Sequence, residues 1–343
     1  MTIHLLKPAL TLLLSLTLIL QVSFSHAKEQ SQSKPLKLKL VYMPYITSAP
    51  FLIAEEEGFF ASEGLQIEFV KVGDAMEALP SLIKGEVDVL GEAIYPAFLN
   101  AMARGAKIKF VADRGYLPPM GCTYAAILAR RALVEEGKLS SISQLKGRRV
   151  AAKQVSAVVV YFLEKVLVQS GLTLADVEMV SLPTPMRLEA FAKGTIDVTF
   201  GFEPWLTQFL KGGHATIWKS VQQLIPNFQM GLLLYGPTLL EKNPEAGKRF
   251  MVAYLKAVRQ YNRGKIERNI EILAKHTGLD RELLKKCCWP VFRDNGQINI
   301  ESIVDFQSWA LEKRFLDKEV PPDQFWDPSF IEYANKVLST AKN

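Results

Sequence analysis

Apolar and polar positions follow a repeating order along this chain. Residues 36–43 alternate like a strand, and residues 50–60 carry apolar side chains at helical spacing, with Pro50 in the first turn and Gly58 or Gly64 at the end. Strands are then predicted at 65–70, 87–90 and 107–112, with helices at 75–84 and 95–104 between them. This βα alternation predicts a largely parallel sheet. A loop at 140–147 separates it from a second series: strand 149–152, helix 158–170, strand 177–182, helix 186–193 and strand 196–200. From Pro244 onward the pattern is helical, with one long amphipathic stretch through Ala274 and another over 300–315.

The two series share an echo. Lys84-Gly85-Glu86-Val87-Asp88-Val89 and Lys193-Gly194-Thr195-Ile196-Asp197-Val198 both read KGx(V/I)DV, and each precedes a loop with Gly and Glu before a Pro. Gly85 and Gly194 fit helix ends that need a positive φ. Helix-to-strand turns favour Gly and Asp in any case, but the match at equivalent places argues for a duplicated α/β unit with a cleft between the copies.

The first apolar run stands apart. Lys7 precedes a Leu-rich stretch over 8–20, followed by Ser25-His26-Ala27 in a small-x-small pattern. These are the parts of a secretory signal peptide, and the run is short for a membrane span. Cleavage is expected after Ala27. No Cys lies near that site to carry a lipid, so a soluble, secreted product is expected.

At 343 residues, 49% hydrophobic and 22% charged, the chain exceeds the usual single core and is neither disordered nor collagen-like. The net charge of +6 is spread thinly, which argues against a nucleic-acid partner. Cys122, Cys287 and Cys288 do not make a disulfide framework. Adjacent Cα atoms lie about 3.8 Å apart, so a Cys287–Cys288 bridge would be strained, and all three are read as buried structural residues. With no CxxC, no HExxH and four His, neither a metal site nor a cofactor is expected.

In open α/β sheets, ligands gather beyond the carboxyl ends of the strands. That rule selects loops 45–50, 73–76, 92–95, 154–157, 183–186 and 202–205, and within them Tyr45, Ser48, Asp74, Glu92, Tyr95, Ser156, Met186, Glu203 and Trp205 as candidate ligand-binding residues. Each has a plainer reading: core packing for Tyr45, Met186 and Trp205, helix caps for Ser48 and Ser156, a helix-dipole partner for Asp74, a solvated turn for Glu203. The loops are rich in aromatics and Met and hold few cations, which favours a flat, partly apolar molecule over a bare oxyanion. Catalysis has little support. There is no GxSxG, P-loop or GxGxxG, and His4, His26, His214 and His276 are not placed beside a nucleophile. Glu92 and Glu203 are a possible carboxylate pair, but such acids also serve as acceptors for ligand donors.

The run Ala49-Pro50-Phe51-Leu52-Ile53-Ala54-Glu55-Glu56-Glu57-Gly58-Phe59-Phe60, the KGxVDV element, Leu145-Lys146-Gly147-Arg148-Arg149-Val150 and Glu203-Pro204-Trp205 resemble the periplasmic solute-binding proteins of nitrate, sulfonate, taurine and thiamine-precursor ABC importers, from about residue 37 to about 334. The resemblance implies an α/β fold of two Rossmann-like lobes joined by a two-strand hinge (the type II periplasmic binding protein fold), with a helical C-terminal part. Lobe 1 would comprise 35–129 and 230–343, lobe 2 would comprise 130–229, and the crossing strands would lie near 124–129 and 230–235. It further implies a monomeric, non-enzymatic receptor that presents a small-molecule ligand to a membrane permease. Sulfonate binders in the family offer Gly with Ser or Thr where this chain has Gln154-Val155-Ser156-Ala157-Val158. That departure favours a pyrimidine-like or other heterocyclic ligand, with sulfonate and nitrate remaining open. The alternatives are an enzyme like the thiamine-pyrimidine synthases, whose Cys-rich motif Cys287-Cys288 does not reproduce, and a carrier of a larger apolar molecule.

Overall fold

In the computed structural model, residues 34–152 and 158–340 are described. The expected signal peptide over 1–27 and Ser156 lie outside the described residues. The strands are β1 (Leu36–Tyr42), β2 (Leu65–Lys71), β3 (Val89–Ala93), β4 (Lys109–Asp113), β5 (Ala125–Arg130), β6 (Arg149–Ala152), β7 (Glu178–Ser181), β8 (Val198–Phe202), β9 (Ala215–Ser220) and β10 (Gly231–Tyr235). They form two five-stranded sheets, in the orders β2-β1-β3-β10-β4 and β7-β6-β8-β5-β9.

Place by place the two orders are equivalent. The fourth place in each sheet is filled by a strand that follows the other sheet's strands in sequence, β10 in the first and β5 in the second, and each runs antiparallel to both neighbours. The expected parallel sheets are therefore mixed. Residues 125–129, expected with the first lobe, belong to the second sheet. Gly-Leu-Leu-Leu-Tyr in β10 is buried throughout and β5 almost so, as central strands covered on both faces require. The edge strands β2 and β7 are more exposed.

The KGx(V/I)DV echo has a shared geometry. Asp88 Oδ2 accepts from the Lys39 amide on β1 at 2.7 Å, and Asp197 Oδ2 accepts from the Arg149 amide on β6 at 3.1 Å. Gly85 and Gly194 adopt φ of 75° and 67°, the left-handed turn that frees the chain from helix into strand. Several expected helices are divided. Residues 50–60 form Ala49–Glu56 and Phe59–Ser62, and the stretch to Ala274 is two helices, Pro244–Tyr261 and Glu267–Thr277.

The chain crosses between the sheets twice, and the crossings run side by side. Leu117 N donates to Phe228 O at 3.0 Å, Asn227 N to Leu117 O at 2.7 Å, Met230 N to Gly115 O at 3.1 Å and Arg114 N to Gly231 O at 3.0 Å. This antiparallel ribbon, 114–117 against 227–231, is the two-strand hinge. Of the segments expected to cross, 124–129 lies beyond the ribbon because residues 125–129 are paired inside the second sheet, while 230–235 overlaps it at Met230 and Gly231 and continues as β10. The C-terminal part braces it: Gln229 donates to Asp113 Oδ1 at 2.6 Å and accepts from Arg293 Nη1 at 2.8 Å, while the Arg293 guanidinium sits 3.8 Å from the centre of the Tyr116 ring.

Candidate functional site

A cavity of about 310 Å³ opens where the strand ends of both sheets meet the crossing ribbon. Tyr45, Glu92, Tyr95, Glu203 and Trp205, all selected from the sequence, line it. Ser48, Asp74 and Met186 do not. Ser48 is fully buried behind the wall, where its hydroxyl donates to Met43 O at 2.7 Å and accepts from Arg114 Nη2 at 3.1 Å. Asp74 Oδ1 accepts from Met76 N at 3.0 Å and so caps the short turn Ala75–Ala78. Met186 is 55% exposed, because helix Thr184–Ala192 turns Thr184 and Arg187, three residues apart on one face, toward the cavity.

Glu203 is an anchor as well as a wall. Its carboxylate accepts from Thr207 N at 2.9 Å, Thr207 Oγ1 at 2.7 Å and Cys288 N at 3.2 Å, tying the start of helix Trp205–Lys211 to the C-terminal part. Cys288 is in turn bonded to Cys122, 166 residues away, with Cα atoms 5.7 Å apart. The expectation of three buried structural thiols is corrected. Cys122 lies in an exposed loop and is bridged to Cys288, and Cys287 alone is free and buried. The bridge joins residues 166 apart in sequence, which only the fold brings together.

Of the lining residues the sequence rule did not select, two are charged and buried: Arg114 and Arg187, 4% and 5% exposed. Arg114 directly follows β4, so the strand-end rule would have found it had it been applied to the fourth strand; Arg187 is the neighbour of Met186. Arg114 is housed by glycines: a Cβ at Gly91 would stand 2.5 Å from its Nε, and one at Gly231 would stand 2.6 Å from its carbonyl oxygen. Its Nη2 reaches Ser48 and, at 3.3 Å, Thr47 Oγ1, while its buried Nε has no partner. Arg187 Nε donates to Leu182 O at 2.7 Å and its Nη1 to Thr199 Oγ1 at 3.3 Å.

Burial sets the electrostatics here. It pushes the Arg187 guanidinium down to about 10 and also lowers Arg114, which Glu92 partly offsets. Tyr95 and Tyr124 are raised, chiefly by burial. Asp113, beside Arg114, is pushed up to about 6 by burial, against the pull of Arg293 and its hydrogen bonds. Among the described residues no group of three or more His, Cys, Asp or Glu is arranged to hold a metal.

Solved structures place this geometry. The periplasmic aliphatic sulphonate binding protein SsuA from Escherichia coli aligns with a TM-score of 0.71 at 21% identity, over 86% of this chain and 93% of that one. The periplasmic nitrate-binding protein NrtA from Synechocystis PCC 6803 aligns at 0.71 and 15% identity, over 89% of each chain. The desulfurization enzyme DSZB aligns at 0.66 and 14% identity, over 88% of this chain and 99% of that one. At such identities what is shared is the fold, the two-lobed periplasmic binding protein architecture. No curated protein matches the sequence. A family model described as NMT1/THI5 like matches residues 46–262, a span that takes in both crossings, the whole second sheet and nearly every cavity residue, so the chain belongs to the NMT1/THI5-like family.

Proposed function

We propose that this protein is the periplasmic solute-binding receptor of an ABC importer, a monomer that closes its lobes on a small organic nutrient and presents it to a membrane permease. The observation that carries the reading is the cavity beside the hinge, built from both sheets and lined by aromatics. The sulfonate- and nitrate-binding neighbours support it. Ligand pockets run from about 300 to 1,000 Å³, so about 310 Å³ suits a small molecule and argues against a carrier of larger apolar cargo. Tyr45 and Trp205 are the surfaces on which a heterocyclic or other planar ring would stack.

The enzyme DSZB shares the fold, so catalysis needs its own argument. The free thiol, Cys287, is fully buried and pushed up to about 11 by burial, which keeps it protonated and unreactive at neutral pH. A binding role is the better reading. Native mass spectrometry of the purified protein, then thermal-shift screening over heterocycles, sulfonates and nitrate, tests it; tight binding of a protein or lipid with no small ligand would overturn it. Small-angle scattering is expected to show compaction at ligand saturation. Trp205→Ala is expected to weaken binding at least about tenfold, or roughly 1.4 kcal/mol, with the empty protein's melting temperature nearly unchanged.

A further inference from the structure

We infer that the ligand is an organic anion with a planar body, and that Arg114 from the hinge and Arg187 from the second lobe hold its carboxylate or sulfonate group. The inference rests on the receptor reading and adds the ligand's charge class and the residues that read it. Few structures bury a guanidinium without an acid partner, because the desolvation cost goes unrecovered. Among the described residues neither Arg114 nor Arg187 has a carboxylate within ion-pair distance, although every basic residue at the Asp197 and Asp113 sites does.

Their present hydrogen bonds do not account for the charge. Ser48, Thr47, Thr199 and the Leu182 carbonyl are neutral acceptors that an amide side chain would satisfy equally. A guanidinium has five N–H donors in a planar fork matched to two oxygens of one anion. Arg114 Nε is buried with no partner, and no hydrogen bond uses Nη2 of Arg187 among the described residues. Both side chains line the one cavity, Arg114 from the crossing ribbon and Arg187 from helix Thr184–Ala192. Of the two carboxylates in the same wall, Glu203 already accepts from Thr207 and Cys288, and Glu92 accepts from the Ala93 amide at 2.6 Å; Tyr45, Tyr95, Tyr116, Tyr124, Phe202 and Trp205 are left to take the body of the ligand. The same two-sided grip would tie anion binding to lobe closure, since an anion bridging both arginines favours only the closed form.

Calorimetric titration of the purified protein with benzoate and benzenesulfonate, against the neutral benzamide and benzyl alcohol and against inorganic sulfate, tests this. The organic anions are expected to bind at least about tenfold more tightly than the neutral probes and than sulfate. Arg187→Gln and Arg114→Gln are each expected to remove that margin, bringing organic anions level with the neutral probes, and Arg187→Lys to restore part of it. Circular dichroism checks folding; if Arg114→Gln does not fold, Arg187→Gln decides. Equal binding of neutral and anionic probes, or unaltered anion binding by Arg187→Gln, overturns the inference and leaves the receptor reading standing. If no probe of either class binds, the inference falls as well, and a small ligand co-purified in native mass spectrometry separately keeps the receptor reading.

Discussion

Two pairs of guanidinium groups, one half-buried at the second sheet and one buried in the cleft, are treated in opposite ways. Below the second sheet, Asp197 accepts from Arg130 Nη2 at 3.1 Å and from Arg149 at Nη2 (3.0 Å), Nε (3.1 Å) and the backbone amide (3.1 Å). In the cleft, among the described residues, neither Arg114 nor Arg187 has a carboxylate within ion-pair distance; Glu92 shares their cavity and acts on Arg114 only from further off. The building device is shared: a Cβ at Gly194 would stand 2.7 Å from Arg130 Nη1, as one at Gly91 would stand 2.5 Å from Arg114 Nε. A glycine makes room for the cation in both, but only one site supplies the counter-charge. Paired charges hold the fold together; unpaired ones leave electrostatic capacity for something that arrives later.

The largest expected effect lies at the paired site. Asp197→Ala leaves Arg130 and Arg149 uncompensated and is expected to cost about 3 kcal/mol in urea unfolding, the low end for a broken buried pair, because the two arginines are 28% and 32% exposed. Ligand affinity of the folded variant is expected to be unchanged; a parallel loss of binding would erase the contrast. Next, Gly91→Ala forces Arg114 and Phe51 apart and is expected to cost about 2 kcal/mol through overpacking, together with most of the ligand affinity. Gly194→Ala is expected to lower stability alone, read by thermal melting beside a binding isotherm.

Removing a charge that has no partner works the other way. Arg187→Met is expected to raise the empty protein's stability by about 1 kcal/mol, since an apolar isostere escapes the desolvation cost; a marked drop in melting temperature would make Arg187 a structural residue. The smallest effect concerns pH. Asp197 is buried, which by itself raises its pKa, yet Arg149 and Arg130 hold it below its ordinary 3.8, so its contribution is present above that value and lost as pH falls. Asp113 is raised to about 6, so its contribution is present at low pH and lost as pH rises through about 6. The stability gap between the wild type and Asp197→Asn is therefore expected to narrow on acidification below about pH 4, as followed by melting temperature across a pH series.

Local rules carried much of this architecture. Alternation and apolar runs placed β1, β2, β6 and β7 within a residue or two, since strand burial follows side-chain period directly. The KGx(V/I)DV pair marked equivalent turns because the Gly sets the local turn, while the Asp in each ties that turn to the neighbouring strand. The strand-end rule found Tyr45, Glu92, Tyr95, Glu203 and Trp205 in the cavity wall. What escaped was decided by distant pairing. Membership of 125–129 in the second sheet, the Cys122–Cys288 bond and the occupation of Ser48 by Arg114 all depend on segments far apart in sequence, which no local period reports. Arg187 was hidden differently, one position from a selected residue but on the inward face of its helix.

The exchange of β5 and β10 gives the two sheets different histories on a chain made from its N-terminus. All five strands of the second sheet come from one uninterrupted stretch, Ala125 to Ser220, so that sheet can be completed by local connections alone. The first sheet is begun earlier but waits: until Gly231–Tyr235 emerges, β3 and β4 have no strand between them, and their apolar edges stand open. The half synthesised first is thus the half finished last, and during that interval it is the part of the nascent protein most in need of a chaperone.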